Sequence, residues 1–93
     1  MQVTVSFLGS LRDQLGKQSL VVELPAAATY RDLLDSIAPT MQEKLAAWAW
    51  DAERRSFPGQ MMVSRNLSVD VRDESTILAD GDEIIVVPPL AGG

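Results

Sequence analysis

Cysteine and histidine are both absent from the 93 residues of this chain. Without thiols or imidazoles, the chain has no disulfide, no thiol nucleophile, no iron–sulfur ligands and no histidine-assisted catalytic triad. Carboxylates remain, but Asp80 and Asp82 flank a glycine, an arrangement typical of a turn, and they need no acid–base role. We therefore expect very little side-chain catalysis and no metal site.

Basic residues are scarce as well, with 8 Lys and Arg against 13 Asp and Glu, and the formal net charge is −5. A nucleic-acid partner would require clustered positive charge, so we expect none, and a charge-steered protein partner should present a basic surface. A membrane-spanning helix would need about 20 consecutive apolar residues, and no such run occurs. The opening MQVTVSF lacks the basic and apolar regions of a secretion signal, so we expect a cytoplasmic protein without a membrane partner.

Apolar residues that alternate with polar ones predict one small α+β domain. Strands are predicted at residues 2–7, 19–24, 61–64 and 83–87, and around 69–71 at an edge. The last main strand is apolar without a break, which is typical of a strand covered on both faces, so we place it centrally and parallel to the first. The predicted fold is a mixed sheet of about five strands wrapped around one main helix.

A helical pattern follows the second strand. Thr29 with Asp32 three residues later predicts a helix start, and the apolar stripe that follows should stop near Pro39. A second helix, or a continuation after a kink, is predicted from Thr40 to about Arg54. The helix that begins at Thr29 is the main helix, and it should pack against the sheet.

Trp50 does not fit the apolar stripe of that second helix. At about 100° per residue it lies about 200° from Trp48, so both indoles cannot face one core. The favoured interpretation is that Trp50 packs on a neighbouring loop. The alternative is an exposed contact with a partner.

Two prolines and two glycines close the sequence, which ends in VVPPLAGG. Pro88 and Pro89 restrict φ to about −65° and favour an extended conformation, so residues 88–93 should project from a domain formed by residues 1–87. This segment is predicted to thread into a narrow channel of another protein.

Small side chains follow the prolines. Leu90 offers one apolar anchor, and Ala91, Gly92 and Gly93 are small enough for a narrow channel. The reactive group would be the main-chain carboxylate of Gly93, which another protein would have to activate with ATP. The chain has no glycine-rich phosphate-binding loop with which to activate it.

Two segments of the chain resemble a known family. Residues 78–93, LADGDEIIVVPPLAGG, resemble the C-terminal signature of the MoaD/ThiS sulfur carriers, and residues 3–16, VTVSFLGSLRDQLG, resemble their first strand and helix. Together they cover about a third of the chain. The resemblance implies a ubiquitin-like β-grasp fold, with residues 1–87 as the domain and residues 88–93 as an extended Gly-Gly tail.

The resemblance also implies a function for Gly93. A ubiquitin-activating-type adenylyltransferase would adenylate its carboxylate with ATP and Mg, and a persulfide donor would supply the sulfur of a thiocarboxylate. In the MoaD branch this sulfur is delivered to precursor Z in the large subunit of molybdopterin synthase, in molybdenum cofactor biosynthesis. The chain would be a non-catalytic carrier subunit that binds no cofactor of its own.

Three alternatives stay open at this point. Ser64 and Arg65 follow Val63 where many family members have Asn-Gly, so a sulfur carrier for cysteine, thiamine or tungsten-cofactor synthesis is possible. A ubiquitin-like protein modifier, joined through Gly93 to lysines, would use the same activation chemistry. A plain β-grasp binding module with an incidental tail is the third.

Partner binding is predicted on the exposed face of the sheet next to the tail. The candidate apolar contacts are Phe7, Met61 and Leu90, although ordinary core packing is the alternative for the first two. Arginines that could orient acidic groups of a partner are Arg12, Arg65 and Arg72.

Overall fold

The computed structural model of the protein describes residues 1–89, and residues 90–93 lie outside the described part. Within this part, five strands and two helices follow one another. Their bounds are β1 Gln2–Phe7, α1 Ser10–Leu15, β2 Ser19–Glu23, α2 Tyr30–Lys44, β3 Met62–Arg65, β4 Val69–Asp70 and β5 Glu83–Val87. The strands form one sheet in the spatial order β2-β1-β5-β3-β4.

The last strand, β5, lies in the middle of this sheet, as its unbroken apolar sequence predicted. It runs parallel to β1, with Val5 beside Ile84, and antiparallel to β3, with Val63 beside Val86. On its other side β1 pairs antiparallel with β2. The predicted α+β architecture, a mixed sheet with one main helix, is confirmed.

The core lies between α2 and the inner face of the sheet. Every second side chain of a strand points to this face. The inner residues of β1 and β5 are completely buried or nearly so: Val3, Val5, Phe7, Ile84 and Val86. The buried stripe of α2 that joins the same core consists of Tyr30, Leu33, Leu34, Ile37, Ala38 and Met41.

Helix α2 begins where predicted and ends later than predicted. The Asp32 N–H donates to the Thr29 hydroxyl at 3.2 Å, and the Thr29 N–H donates to the Asp32 carboxylate at 2.9 Å. The predicted stop near Pro39 is wrong, since α2 continues through it to Lys44. Proline within a helix destabilises the folded state by about 3 kcal/mol. Met41, which follows Pro39 in the helix, is fully buried, and this burial stabilises the folded state by about 1.5–3 kcal/mol. Neither helix of the described part is long and apolar enough to cross a bilayer.

The prediction of helix up to about Arg54 is wrong beyond Lys44. Leu45 has extended backbone angles, with φ −93° and ψ 143°. The next amide, the N–H of Ala46, donates to the side-chain oxygen of Gln14 in α1 at 2.8 Å. A side chain distant in sequence thus supplies the partner that a further helical turn would have supplied.

Trp50 packs on a neighbouring loop, which confirms the favoured interpretation. It is 3% exposed, and its ring meets the Phe57 ring edge-on with the centroids 5.0 Å apart. An exposed partner contact through Trp50 is therefore wrong. Trp48, which the helical stripe placed in the core, is only partly buried, because the segment is not helical and helical spacing does not apply.

A three-residue loop, residues 66–68, joins β3 to β4 and contains a β-turn. Asn66 and Leu67 have φ of 53° and 63°, and the Ser68 N–H donates to the Arg65 carbonyl at 3.0 Å. Two central residues with positive φ define a type I′ turn, which favours Asn-Gly. Leu67 stands where glycine is usual, so the sequence pattern did not predict this turn. At its other end, β3 begins at Met62, one residue later than predicted.

Candidate functional site

The chain leaves the sheet at the end of β5, where the two prolines follow Val87. The Leu8 N–H donates to the Val86 carbonyl at 3.1 Å, which extends the pairing of β1 with β5 beyond the end of β1. Pro88 is buried and Pro89 is partly buried. These two prolines, called the stem here, carry residues 90–93, and Pro88 is packed against the domain.

Gly9 is the residue against which the stem packs. Its backbone has φ 60° and ψ −140°, a conformation that residues with a side chain rarely adopt. A Cβ at this position would lie 3.2 Å from Cγ and 3.7 Å from Cδ of Pro88. Glycine is therefore required here both by the backbone conformation and by the close approach of the proline ring.

The outer face of the sheet, which points away from α2, carries apolar side chains next to the stem. Ile85 is 6% exposed although it lies outside the core cluster. Met62 and Val87 are cross-strand partners on this face, and Met62 is 57% exposed. Leu8 and Leu67, the latter 77% exposed, line a groove of about 510 Å³ together with Ile85. These five residues are called the docking face.

Polar side chains at the rim of this groove are bonded within the chain. The Ser6 hydroxyl donates to the Glu83 carboxylate at 2.8 Å. Arg12, one of the arginines predicted to orient an acidic partner, donates through Nε to the Phe7 carbonyl at 3.1 Å. The groove is therefore lined by both apolar and polar side chains, and three of the polar ones, Ser6, Glu83 and Arg12, are bonded within the chain.

The predicted exposure of Phe7 and Met61 is wrong. Both side chains are 1% exposed and belong to the core. Side chains of a strand alternate between the two faces, so an error of one residue in register exchanges the faces. The residues that follow them, Leu8 and Met62, lie on the docking face instead.

Arg65, the second arginine predicted to orient an acidic partner group, is paired within the chain. Its guanidinium lies 2.7 Å from the carboxylate of Asp82. The same carboxylate accepts hydrogen bonds from the Ala79 N–H at 2.8 Å and from the Asn66 amide at 3.2 Å. Burial alone would raise the pKa of Asp82, but these three donors outweigh burial and hold that pKa below its ordinary value.

Asp82 and its three partners, Arg65, Asn66 and the Ala79 N–H, are called the Asp82 cluster here, and they hold the start of β5. The Asn66 side-chain oxygen accepts from the Glu83 N–H at 2.8 Å, and the Asn66 N–H donates to the Glu83 carbonyl at 2.8 Å. Nearby, the Asp80 carboxylate accepts from the Gln2 N–H at 2.7 Å. Both aspartates are thus occupied by structural hydrogen bonds, in agreement with their predicted role in a turn.

A second hollow, of about 190 Å³, lies between α2 and the loop that precedes β3, and Tyr30 and Arg72 line it. Arg72, the third predicted arginine, donates to the Gly59 carbonyl at 3.4 Å. Burial raises the pKa of Tyr30 well above its ordinary value, with Glu74 adding to the effect and Arg31 opposing it. Among residues 1–89 there is no group of carboxylates that could hold a metal ion.

The residue predicted to carry the chemistry, Gly93, lies outside the described residues. The same holds for three of the predicted threading residues, Leu90, Ala91 and Gly92. Of that segment the structure describes the stem alone. The threading and carrier roles therefore stay predictions.

Two positions that shape the site were not singled out from the sequence. Gly9 lies between β1 and α1, two residues after the end of β1, and a glycine between a strand and a helix was an available signal for a special backbone conformation. Leu67 gave no signal, because leucine is not a turn residue. Only the turn geometry places it, 77% exposed, beside Ile85.

Comparison with known proteins gives a family match over most of the chain. The model of the ThiS family matches residues 5–93. A relative, small archaeal modifier protein 3 of Haloferax volcanii, is 27% identical over 93 residues, which cover 100% of both chains.

Solved structures of similar chains share the fold. SAMP1 from Haloferax volcanii has a TM-score of 0.78 at 21% identity, over 100% of both chains. A putative molybdopterin converting factor, subunit 1, from Pyrococcus furiosus has a TM-score of 0.68 at 25% identity, over 97% of this chain and 99% of that one. A chain of the BexX/CysO complex of Amycolatopsis orientalis has a TM-score of 0.64 at 28% identity, over 98% of this chain and 99% of that one. The predicted ubiquitin-like β-grasp fold is confirmed.

Replacing Gly9 with alanine should destabilise the domain by straining the backbone and pressing on Pro88. We expect the free energy of unfolding to fall by about 1–3 kcal/mol, measured by urea unfolding. Gly16→Ala is the matched control, because Gly16 also has a positive φ, 76°, but an added Cβ would meet nothing within 4 Å. Equal losses in the two variants would show that the Pro88 contact contributes nothing.

Asp82→Asn should lower the free energy of unfolding near neutral pH by about 1–3 kcal/mol, because it removes the charge that Arg65 and the other donors stabilise. The pKa of Asp82 is lower in the folded than in the unfolded state. The unfolded state therefore takes up the proton first as the pH falls, and this stabilisation is present above about pH 4 and lost below it. The difference between wild type and variant should shrink on acidification, and a constant difference would contradict the assignment.

Proposed function

We propose, from the premise that this chain belongs to the ThiS family, that it is the small, sulfur-carrying subunit of a sulfurtransferase. One observation carries the proposal. The central strand β5 continues directly through the buried Pro88 into the tail sequence Leu-Ala-Gly-Gly, beside an apolar docking face. A partner seated on that face would receive the tail at the same end of the sheet.

The chemistry resides in the main-chain carboxylate of Gly93. An adenylyltransferase of the ubiquitin-activating type would use ATP and Mg to form an acyl-adenylate and release pyrophosphate. The outer sulfur of a persulfide donor would then attack the acyl carbonyl and expel AMP, and a second thiol would cleave the resulting acyl disulfide, leaving the thiocarboxylate on Gly93 and a disulfide between the donor and that thiol. The chain contains no cysteine, so no thiol of its own competes for the activated carbonyl. We expect this reaction in the cytoplasm, where ATP is available.

The docking face supplies the affinity for such partners. Met62 and Leu67 are large apolar side chains that are 57% and 77% exposed. Leu67 lines the groove together with the nearly buried Ile85, and Met62 is the cross-strand partner of Val87. Clustered exposed apolar side chains are typical of binding surfaces, where a few central contacts dominate the affinity. The net charge of −5 favours partners with a basic surface around that contact.

We favour the large subunit of molybdopterin synthase as the sulfur acceptor, which would make this chain a MoaD-like subunit in molybdenum cofactor biosynthesis. The similarity to the putative molybdopterin converting factor subunit of Pyrococcus furiosus supports this choice. The likeness to the BexX/CysO complex supports acceptors of another kind. Acceptors in cysteine, thiamine or tungsten-cofactor synthesis are therefore the alternatives.

A protein modifier is the second candidate function. It is favoured by the relative in Haloferax volcanii, whose name describes a modifier protein. Gly93 would then be joined to lysines of target proteins after the same adenylation. Peptides that retain Gly-Gly on a lysine side chain, found in cells that express this chain, would support the modifier.

The carrier function predicts a change of mass. Incubation with the cognate adenylyltransferase, ATP and sulfide should raise the intact mass by the difference between one sulfur and one oxygen atom. Deletion of Gly92 and Gly93 should abolish this change and leave the unfolding midpoint unaltered, because terminal residues bury little surface. An unchanged wild-type mass with an active partner, or a mature chain that extends beyond Gly93, would contradict the proposal.

The docking face predicts a separate effect on partner binding. Met62→Asp and Leu67→Asp should each weaken binding to the adenylyltransferase or the acceptor about tenfold or more, without loss of stability. Ile77→Asp is the matched control, since Ile77 is 60% exposed and is not one of the five residues of the docking face. Titration calorimetry measures the affinities. Equal weakening by all three changes would show that negative charge, and not the docking face, is responsible.

A further inference from the structure

Among residues 1–89, Met62 is the one methionine that is open to solvent. It is 57% exposed, whereas Met41 and Met61 are 0% and 1% exposed and Met1 is partly buried against the core. Successive side chains along a strand point to opposite faces of the sheet, so one step along the chain separates a protected thioether from an open one. A reagent dissolved in water therefore reaches the sulfur of Met62 before the sulfurs of Met41 and Met61.

This open thioether lies on the docking face, beside the start of the stem. Met62 pairs with Val87 across the sheet, and Pro88 follows Val87 directly. Contacts at this position belong to the partner binding of the proposed function, on which the following proposal rests. Methionine is unbranched and polarisable, so it adapts to contact surfaces of different shape. That property suits a face that has to bind first an adenylyltransferase and then a sulfur acceptor.

The core does not depend on the Met62 side chain. Met62 lies outside the core cluster, and the pairing of β3 with β5 is made by main-chain groups. Cysteine thiolates and methionine thioethers are the sulfur groups that peroxides oxidise, and this chain has no cysteine. Oxidation of a buried methionine disrupts the packed core around it, whereas oxidation of Met62 would change only the surface that the domain presents.

We propose that Met62 is a site of reversible oxidation by peroxides, and that the methionine sulfoxide formed there releases the docking face from its partners. With hydrogen peroxide, a lone pair of the thioether sulfur attacks one peroxide oxygen. The O–O bond breaks as the S–O bond forms, and the other oxygen leaves with both protons as water. The sulfur gives up two electrons, and the two peroxide oxygens take them up.

The reverse step requires a reductant of the thiol class. Two thiols of a methionine sulfoxide reductase supply two electrons and two protons to the sulfoxide. The S–O bond breaks, the oxygen leaves as water, and the two thiols become a disulfide. Neither direction uses the carboxylate of Gly93, so the oxidation site is chemically separate from the group that would carry sulfur.

The added oxygen weakens a contact in which it becomes buried. A sulfoxide is strongly polar and accepts hydrogen bonds, and a polar group that loses water without gaining a partner destabilises the complex. In the free chain the Met62 side chain is largely in water, so the oxygen keeps its hydration. Oxidation should therefore weaken partner binding and leave the stability of the free domain unchanged.

The first test maps oxidation of the full chain by hydrogen peroxide, without sulfur on Gly93, because a thiocarboxylate would also react. Met61 and Met62 lie in one tryptic peptide, residues 56–65, and its fragment spectra assign the added oxygen to one of them. Met62 should be oxidised more than about tenfold faster than Met61 and Met41, since buried methionines react only in rare open states. The urea unfolding midpoint should not change. Equal rates, or a lower midpoint when Met62 alone is oxidised, would overturn the proposal.

The second test measures partner binding after oxidation. The chain is oxidised alone, freed of peroxide and titrated by calorimetry into untreated adenylyltransferase. The affinity should fall about tenfold or more, and it should return after treatment with methionine sulfoxide reductase and a thiol. Met62→Leu keeps an apolar side chain of similar volume without sulfur, so it should bind like the untreated wild type and be insensitive to peroxide. Met61→Leu is the matched control and should stay as sensitive as the wild type.

Failure of this proposal can be told apart from failure of the carrier function. Full affinity of the oxidised wild type, or a loss of affinity that Met62→Leu does not prevent, would overturn the proposal and leave the carrier function standing. An untreated wild type that does not bind the adenylyltransferase would overturn both. Sulfur on Gly93 and oxygen on Met62 raise the intact mass by nearly the same amount, so fragment spectra have to locate the added mass in every sample.

Discussion

The position of β5 between two neighbours of opposite direction is the constraint on which the rest of the structure depends. Parallel pairing with β1 and antiparallel pairing with β3 bury its inner side chains completely. Its start is held by the Asp82 cluster and its end by the contact between Pro88 and Gly9. Because both ends are held, the direction in which the chain leaves the sheet is set by the domain. A carrier needs this, since its reactive terminus has to enter a site on another protein.

One strand serves both faces of the sheet. Ile84 and Val86 fill the core against α2, and Ile85 and Val87 belong to the docking face next to the stem. The unbroken apolar sequence of β5 therefore reflects two separate environments, the core on one face of the sheet and the apolar outer face on the other.

Several departures from the expected structure share one cause. In each, contacts between residues distant in the sequence override the preference of the local sequence. Pro39 signals a helix end, yet α2 continues because Met41 beyond it is buried. The pattern after Lys44 signals a helix, yet Gln14 from α1 binds the Ala46 amide and the helix ends. Helix preferences differ by up to about 0.7 kcal/mol per residue among ordinary residue types, so a single tertiary contact can outweigh them. The cost of about 3 kcal/mol for Pro39 is similar in size to the stabilisation from burying Met41.

The amino-acid sequence by itself determined the β-grasp order of strands and helices, the central place of β5 and the Thr29–Asp32 start of α2. These features follow from residue periodicity and from turn and capping signals, all of which depend on residues that are close together in the sequence. The tertiary structure decided which apolar side chains lie on the outer face of the sheet: Leu8 and Met62 in place of Phe7 and Met61, and Leu67 at a turn without a turn signal. A shift of one residue along a strand exchanges the two faces of the sheet, and register is set by pairing partners that are far away in the chain.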